Sequence, residues 1–534
     1  MTDTVLVAGA GPTGLALAAH LALHDIPVRL IDAAPAPATT SRALGLQPRG
    51  AEVLERIGAL GDLPERSQRS LTMSYNEGSR TVLRMRVGQA LAGQPKQALL
   101  ISQAEVEGVL RERLRELGVE VEWGVRLVGA EQDGAGVAAA VRTDDGAERH
   151  VEAQWLAGCD GAHSAVRKLA GIGFPGRKLI ERLLMADVRA RWPFDRNGST
   201  TWMDAGRMLS VTALPDDTWR IFTEPPADLP EGLSDDEIAD RVLAEFSRRS
   251  GVGLDTVMEI RWVTEFRIHR RLADAYRRGR ILLAGDAAHI QSPSGGQGQN
   301  TGLGDAENLA WKLVLVARGR ADARLLDTYE GERRPLARTV LRATSTAVDV
   351  MLPDTAWKRL VRDKVVLPAV RLPAVQRRLW LAASQLGIGY RGGPLASASH
   401  RWASGPQPGD RMPDLTCLDA GGEEVTLHAA VSGRWVVLAA DRRVADRHAE
   451  AAAARLGGDL VTVLVPAPGA ADAAGVDARD VVLVRPDGHI GWRGRPAPDR
   501  LAAWIDEVLW PVQSAAVPVT RATTPRSSTR RWTC

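Results

Sequence analysis

The chain has 534 residues, of which 45% are hydrophobic and 25% charged, and 68 basic against 65 acidic residues give a net charge of +3. That balance is ordinary for a globular protein and gives no reason to expect nucleic acid or a membrane as partner. Three scattered cysteines without a CxxC spacing argue against a disulfide framework or zinc site, no apolar run reaches the roughly 18 residues of a membrane span, and the opening lacks the basic region of a signal peptide, so a cytoplasmic location is expected.

Residues 4–32, TVLVAGAGPTGLALAAHLALHDIPVRLID, read as strand, glycine turn, helix and second strand. Val5, Leu6 and Val7 form a short apolar run of the kind found in buried parallel strands. Gly9, Gly11 and Gly14 fit GxGxxG, in which glycine allows a tight turn, close approach of backbone to a pyrophosphate, and close packing of helix on strand. The helix start then offers free N–H groups to phosphates. Asp32 ends the second strand, where an acid bonds a ribose hydroxyl. Together these predict a dinucleotide site.

Further on, Ser102 and Glu105 predict a capping box, with Gln103 at the helix start and Val106, Val109, Leu110, Leu114 and Leu117 on the apolar face. Residues 154–172, QWLAGCDGAHSAVRKLAGI, read as a strand ending in Asp160-Gly161 and a following helix. Residues 185–267 read as an inserted antiparallel sheet, whose Trp192, Trp202, Trp219 and Trp262 either wall an aromatic pocket or pack in a core. RILLAGDAAH then returns to a buried strand, followed by a second glycine loop and a helix from just after Gly302. Residues 320–395 read as mostly helical and the Pro/Gly-rich 390–414 as a linker. A β-α-β-β-β-α unit follows, and a tail rich in Ser, Thr, Arg and Pro reads as disordered.

Three stretches carry a resemblance: GAGPTG (9–14), GCDGAHSAVRKLAG (158–171) and GDAAHIQSPSGGQGQNTGLGDAENLAWKL (285–313). They are similar to the signatures of the single-component FAD-dependent aromatic hydroxylases, above all the actinobacterial enzymes acting on aromatic polyketides and rifamycin-like molecules. The resemblance implies an α/β fold in which a Rossmann-like FAD-binding domain (1–175 and, with a helical segment, 273–392) carries an inserted antiparallel-sheet substrate domain (176–272). A linker (393–412), a thioredoxin-like domain without CxxC (413–512) and a tail (513–534) complete it.

By the same resemblance, Gly9, Gly11, Pro12, Thr13 and Gly14 hold the ADP half of FAD, Asp32 and Ala33 the adenosine ribose, and Leu127 the adenine. Arg42 and Gln103 contact FAD. Asp160 belongs to a motif linked to both FAD and NAD(P)H, with a structural role at the strand end as the alternative. Gly285 and Asp286 serve the ribityl or pyrophosphate region, Pro293 packs near the ring, and Gly298, Gln299 and Asn300 offer backbone groups to its pyrimidine edge. Position 299 departs from the family, which carries an apolar residue there. His163 and His289 are read as supports of their motifs rather than catalysts.

The implied reaction uses FAD, with NADPH or NADH as a transient co-substrate, and O2. A C4a-hydroperoxyflavin transfers one oxygen to a polycyclic aromatic, polyketide-like substrate. Because the cofactor carries the chemistry, no catalytic residue is assigned. A second Rossmann fingerprint, a CxxC and a WxWxIP stretch are all missing, which argues against two-dinucleotide reductases, disulfide reductases and halogenases. Baeyer–Villiger or epoxidising chemistry, a small-phenol substrate and a flavin-containing drug-binding protein stay open. So do a homodimer and the role of the last domain.

Overall fold

The strand Val5–Ala8 is buried along its whole length at the centre of a six-stranded sheet. Val28–Ile31 and Trp155–Gly158 flank it in parallel, and Ile281–Leu283 extends the sheet beyond Trp155–Gly158. This is the Rossmann-like arrangement expected of the opening stretch. Four helices accompany these strands: α1 (Pro12–Ala22), α2 (Pro48–Arg56), α3 (Gln103–Glu116) and α4 (Ala165–Leu169). The computed structural model describes residues 4–509 apart from 40–42, 70, 88–96, 205–206, 216, 227–228, 231, 292–295, 352–354 and 397–404. Arg42, Pro293 and the tail 513–534 therefore lie outside the described residues.

Ser102 caps α3 by accepting from the Ala104 N–H at 3.2 Å. The expected capping box does not close, because Glu105 pairs with Arg66 instead. A closed box occurs at a helix the sequence reading passed over, α5 (Asp235–Ser250), where Ser234 and Glu237 bond reciprocally.

The second large sheet has eight strands and is wider and more mixed than expected. Its order is His289–Ile290, Val257–Leu272, Gly176–Ala190, Thr218–Thr223, Arg207–Ala213, Gly198–Asp204, Leu71–Glu77, Arg80–Val87. The last two come from far earlier in the chain and join through a parallel pairing of Leu71–Glu77 with Gly198–Asp204. One face packs on α5. There Trp192, Trp202 and Trp219 gather with Phe246, and Trp192 stacks on Phe246 with ring centroids 4.0 Å apart. These three tryptophans are core, because α5 presents Ile238, Val242 and Phe246 at helical spacing and needs an apolar floor. On the opposite face, Tyr75, Thr201, Ser210, Phe222, Met185 and Thr264 are successive cross-strand neighbours.

After Ile281–Leu283 comes α6 (Gln297–Ala317), buried along most of its length, and then α7 (Asp327–Met351). The helix begins at Gln297, not after Gly302, and Gly296 in the left-handed region (φ 62°) opens it. Gly302 and Gly304 lie inside the helix for lack of room: a Cβ on Gly302 would come 2.3 Å from Thr13 Oγ1, and one on Gly304 2.9 Å from Arg333 Nη2. A glycine run reads as a loop in sequence; here it lets α6 pack close on its neighbours.

The last sheet pairs Trp435–Leu438 in parallel with Val461–Pro466 and antiparallel with Val481–Val484, which pairs in turn with Ile490–Gly494. With α8 (Arg442–Leu456) and α9 (Pro498–Leu509) this is the expected thioredoxin-like order. The short strands Thr416–Leu418 and Glu424–Thr426, which the sequence reading did not include, extend it. Both ends of the Pro/Gly-rich stretch before it are packed: Tyr390 is buried and accepts from Arg333 of α7, while Met412 lies in the core of the last unit and Arg411 forms a β-bridge with His489. Among the described residues no helix is long and apolar enough to cross a membrane.

Candidate cofactor site

The three glycines of the first loop divide the work expected of them. A Cβ on Gly9 (φ +104°) would lie 2.3 Å from Cys159 O, and one on Gly14 would lie 1.9 Å from Gly9 O. Both positions are closed by backbone. At Gly11 a Cβ would meet nothing within 4 Å, so the space beside this turn is open. Gly11 is the N-cap of α1, with no side chain capping it and Pro12 in the first turn. The first intrahelical bond runs from Leu15 N–H to Gly11 O, which leaves the Thr13 and Gly14 N–H groups facing out.

Asp32 pins this turn. Its carboxylate accepts from Ala10 N–H at 2.6 Å and from Ala34 N–H at 2.8 Å, spanning Ala33. Asp160 has two faces. Oδ2 accepts from the Ala165 and Val166 N–H groups at 2.6 and 3.1 Å and so caps α4, while Oδ1 is buried without a partner. The structural role is thus observed, and one oxygen is left over. Gln103 donates to Glu107 Oε1 at 2.8 Å, and its backbone N–H bonds Ala43 O, next to the undescribed Arg42. Leu127 is buried in the main core.

The second loop meets the first at Thr13. A Cβ on Gly285 (φ +61°) would lie 2.5 Å from Thr13 Oγ1, so Thr13 is wedged between Gly285 and Gly302. Asp286 follows, exposed and without a hydrogen bond among the described residues. His289 is fully buried, its Nε2 2.7 Å from Asp305 Oδ2. Asp305 also accepts from Arg333 Nε at 2.6 Å and from Gly285 N–H at 3.1 Å. Burial pushes the Asp305 carboxyl up, but Arg333 and His289 outweigh it and hold it below its ordinary value. His289 therefore supports the loop as expected, while His163 is exposed.

Gly296, at the N-cap of α6, has no side chain to cap the helix, and among the described residues the N–H groups of Gly298 and Gln299 have no intrahelical acceptor. Asn300 does more than the expected backbone contact. Its side chain accepts from Gln47 N–H at 2.8 Å and donates to Gly45 O and Gly296 O at 3.1 and 2.7 Å, tying the 45–47 segment to the first turn of α6. Beside that turn, both side-chain amide atoms of Gln299 are buried without a partner, and so are both of Gln291. Gln291 Nε2 would lie 3.9 Å from a Cβ on Gly298. A buried amide without a partner is costly, so four such atoms around an uncapped helix start fit a ligand that carries both donors and acceptors. A flavin pyrimidine edge is such a ligand. Sequence reasoning missed Gln291; its only signal was a polar residue inside an otherwise apolar strand-to-loop junction.

Residues 2–344 match the FAD binding domain family model, and residues 405–510 match the aromatic-ring hydroxylase C-terminal model. The chain is 34% identical over 517 residues to 6-methylpretetramide 4-monooxygenase of Streptomyces rimosus, covering 92% of this chain and 90% of that one. It is 32% identical over 509 residues to rifampicin monooxygenase of Streptomyces venezuelae, covering 94% and 98%. Among solved structures, the ternary complex of aklavinone-11 hydroxylase with FAD and aklavinone superposes with a TM-score of 0.79 at 26% identity, covering 95% of this chain and 99% of that one.

Proposed function

Because the chain belongs to the FAD-dependent aromatic-ring hydroxylases, we propose that this monooxygenase inserts one atom of O2 into a polycyclic aromatic, polyketide-like substrate, with NADPH or NADH as transient electron donor. The observation that carries the reading is the meeting at Thr13 of the uncapped start of α1 with Gly285 of the second loop and Gly302 of α6, together with four unpartnered amide atoms beside the first turn of α6.

Bound FAD would supply the redox chemistry that links the nicotinamide to O2, from which the inserted oxygen atom comes. The protein positions and shields. The Thr13 and Gly14 N–H groups take the pyrophosphate at open Gly11, with Gly9 and Pro12 shaping the turn. Asp32 keeps lone pairs for a ribose hydroxyl, and Ala33 and Leu127 border the adenosine. Exposed Asp286 takes a hydroxyl of the ribityl chain, next to Gly285. The Gly298, Gln299 and Asn300 end of α6 brings partial positive charge to the flavin's pyrimidine edge, where negative charge gathers on reduction. Arg42, Gln103, Asp160 and Pro293 complete the set by resemblance.

The substrate lies against the sheet face opposite α5, along the row from Tyr75 through Ser210 and Phe222 to Thr264. That row carries no charged side chain, which suits fused rings held by burial with a few hydroxyl anchors. The relatives named for 6-methylpretetramide, rifampicin and aklavinone support a large multi-ring substrate over a single phenol. The site is proposed to operate in the cytoplasm.

The test is NAD(P)H oxidation by FAD-loaded protein across a panel of multi-ring polyketides and single-ring phenols. Multi-ring compounds accelerate it and yield hydroxylated product by NMR. Efficient turnover of single-ring phenols alone replaces the substrate assignment, and an inserted ring oxygen replaces hydroxylation with Baeyer–Villiger chemistry.

A further inference from the structure

The unit that closes the chain carries no CxxC, and its Cys417 is fully buried. What it does offer is a layer of buried charge against the flavin-binding body. Arg411 pairs with both carboxylate oxygens of Glu52 on α2. Arg485 donates to both oxygens of Glu332 on α7, at 2.6 and 3.0 Å. All four side chains are buried.

Asp487 lies at the centre of this layer. Its Oδ2 accepts from Asn308 Nδ2 at 3.1 Å and from Trp311 Nε1 at 3.3 Å, both on α6. The same carboxylate pairs with Arg485, and the Asp487 carbonyl accepts from Arg49 in the first turn of α2. Burial works against its charge, yet Arg485 and His489 hold the Asp487 carboxyl well below the ordinary carboxylate range. Arg49 stands two residues after Gln47, whose N–H donates to Asn300 in the first turn of α6. The side chain and the carbonyl of one residue thus grip the middle of α6 and the start of α2, and Asn300 ties the segment before α2 to the first turn of α6.

A detachable module would present a wetter surface. Here, removal of the unit would strand Glu52, Glu332 and Arg49 as buried charges lacking some of their partners. We propose that Asp487 is a positioning residue for the flavin: together with Glu307 of α6, which pairs directly with Arg49 and Arg56 of α2, it locks α2 to α6 and thereby sets where the N–H groups of residues 298 and 299 point. The inference rests on the FAD reading above.

The test uses the full chain and two readouts, the FAD dissociation constant and the midpoint potential of the bound flavin. Asp487→Asn keeps the shape and removes the charge. It is expected to raise the FAD dissociation constant about tenfold. Because a displaced helix start costs the reduced, negatively charged ring more than the oxidised one, reduced flavin loses a further tenfold, which converts to a potential lower by about 30 mV. Trp311→Phe keeps an aromatic side chain, though a smaller one, and removes the N–H that donates to Asp487. It moves both readouts in the same direction by less, and it decides the matter should Asp487→Asn not fold. A folded variant with wild-type affinity and potential, even one that melts earlier, overturns the proposal and leaves the layer as packing alone. A wild-type chain that binds no FAD overturns the functional reading and this inference with it.

Discussion

Thr13 and Gly302 share one contact: a Cβ on Gly302 would stand 2.3 Å from the Thr13 hydroxyl oxygen, and 3.6 Å from its Cβ. The first-loop threonine and the second-loop glycine therefore fix the distance between α1 and α6. Gly302→Ala should push the helices apart, at an overpacking cost of about 1–3 kcal/mol, and lower flavin content. Thr13→Ala removes the clashing oxygen and leaves an ordinary contact. The double variant should regain both melting temperature and flavin absorbance. A Gly302→Ala protein with wild-type flavin content shows that this contact does not set the cofactor site.

Asp286→Ala should lose most of its flavin while the apo protein melts as the wild type does. The carboxylate is exposed and holds no other part of the described chain, whereas a hydrogen bond that a charged carboxylate accepts from a cofactor hydroxyl is worth about 1.5–3 kcal/mol. Calorimetry of apo and holo forms separates the two effects. An equal drop in both assigns Asp286 to the fold instead.

The orphaned glutamines predict changes of opposite sign. Gln299→Met and Gln291→Leu remove buried amide atoms that have no partner. Each should stabilise the apo protein by about 1 kcal/mol and weaken FAD binding. If thermal shifts show apo and holo forms moving together, the amides do not face the cofactor.

Acid should weaken the fold through His20. Burial pulls this imidazole down to about 4, and its Nε2 has no partner. Its folded pKa lies below the unfolded value of 6.5, so the unfolded chain binds more protons between the two. Stability is full above pH 6.5 and falls as pH drops toward 4. His24 is likewise lowered to about 4, mainly by burial, and adds to the slope. His20→Gln should flatten the dependence of apo melting temperature over that window without abolishing it. An unchanged slope means that His20 is not the titrating group.

The nucleotide-binding half was legible because its signals are local: an apolar strand, glycines at positions closed by backbone, and an acid at the next strand end. The rest turned on contacts between distant segments. Leu71–Glu77 joins a sheet whose neighbouring strand lies past residue 198, and nothing in the short stretch 71–87 announces that parallel pairing. Gly302 of α6 looked like loop because the partner that requires it, Thr13, is nearly three hundred residues away. Whether Trp192, Trp202 and Trp219 walled a pocket or packed in a core stayed open because α5, which covers them, went unread. At the site, Asp32 and Asn300 were found by motif, but their backbone-pinning bonds to Ala10 and Gln47 appear only in three dimensions.

The central claim is tested most directly by isotope. FAD-loaded protein is supplied with NAD(P)H and a multi-ring phenolic polyketide under 18O2, and the product is read by mass spectrometry. The account predicts a product carrying a single 18O atom, formed in step with NAD(P)H consumption. Oxygen taken from water, or NAD(P)H consumed with no oxygenated product from any multi-ring compound, contradicts it.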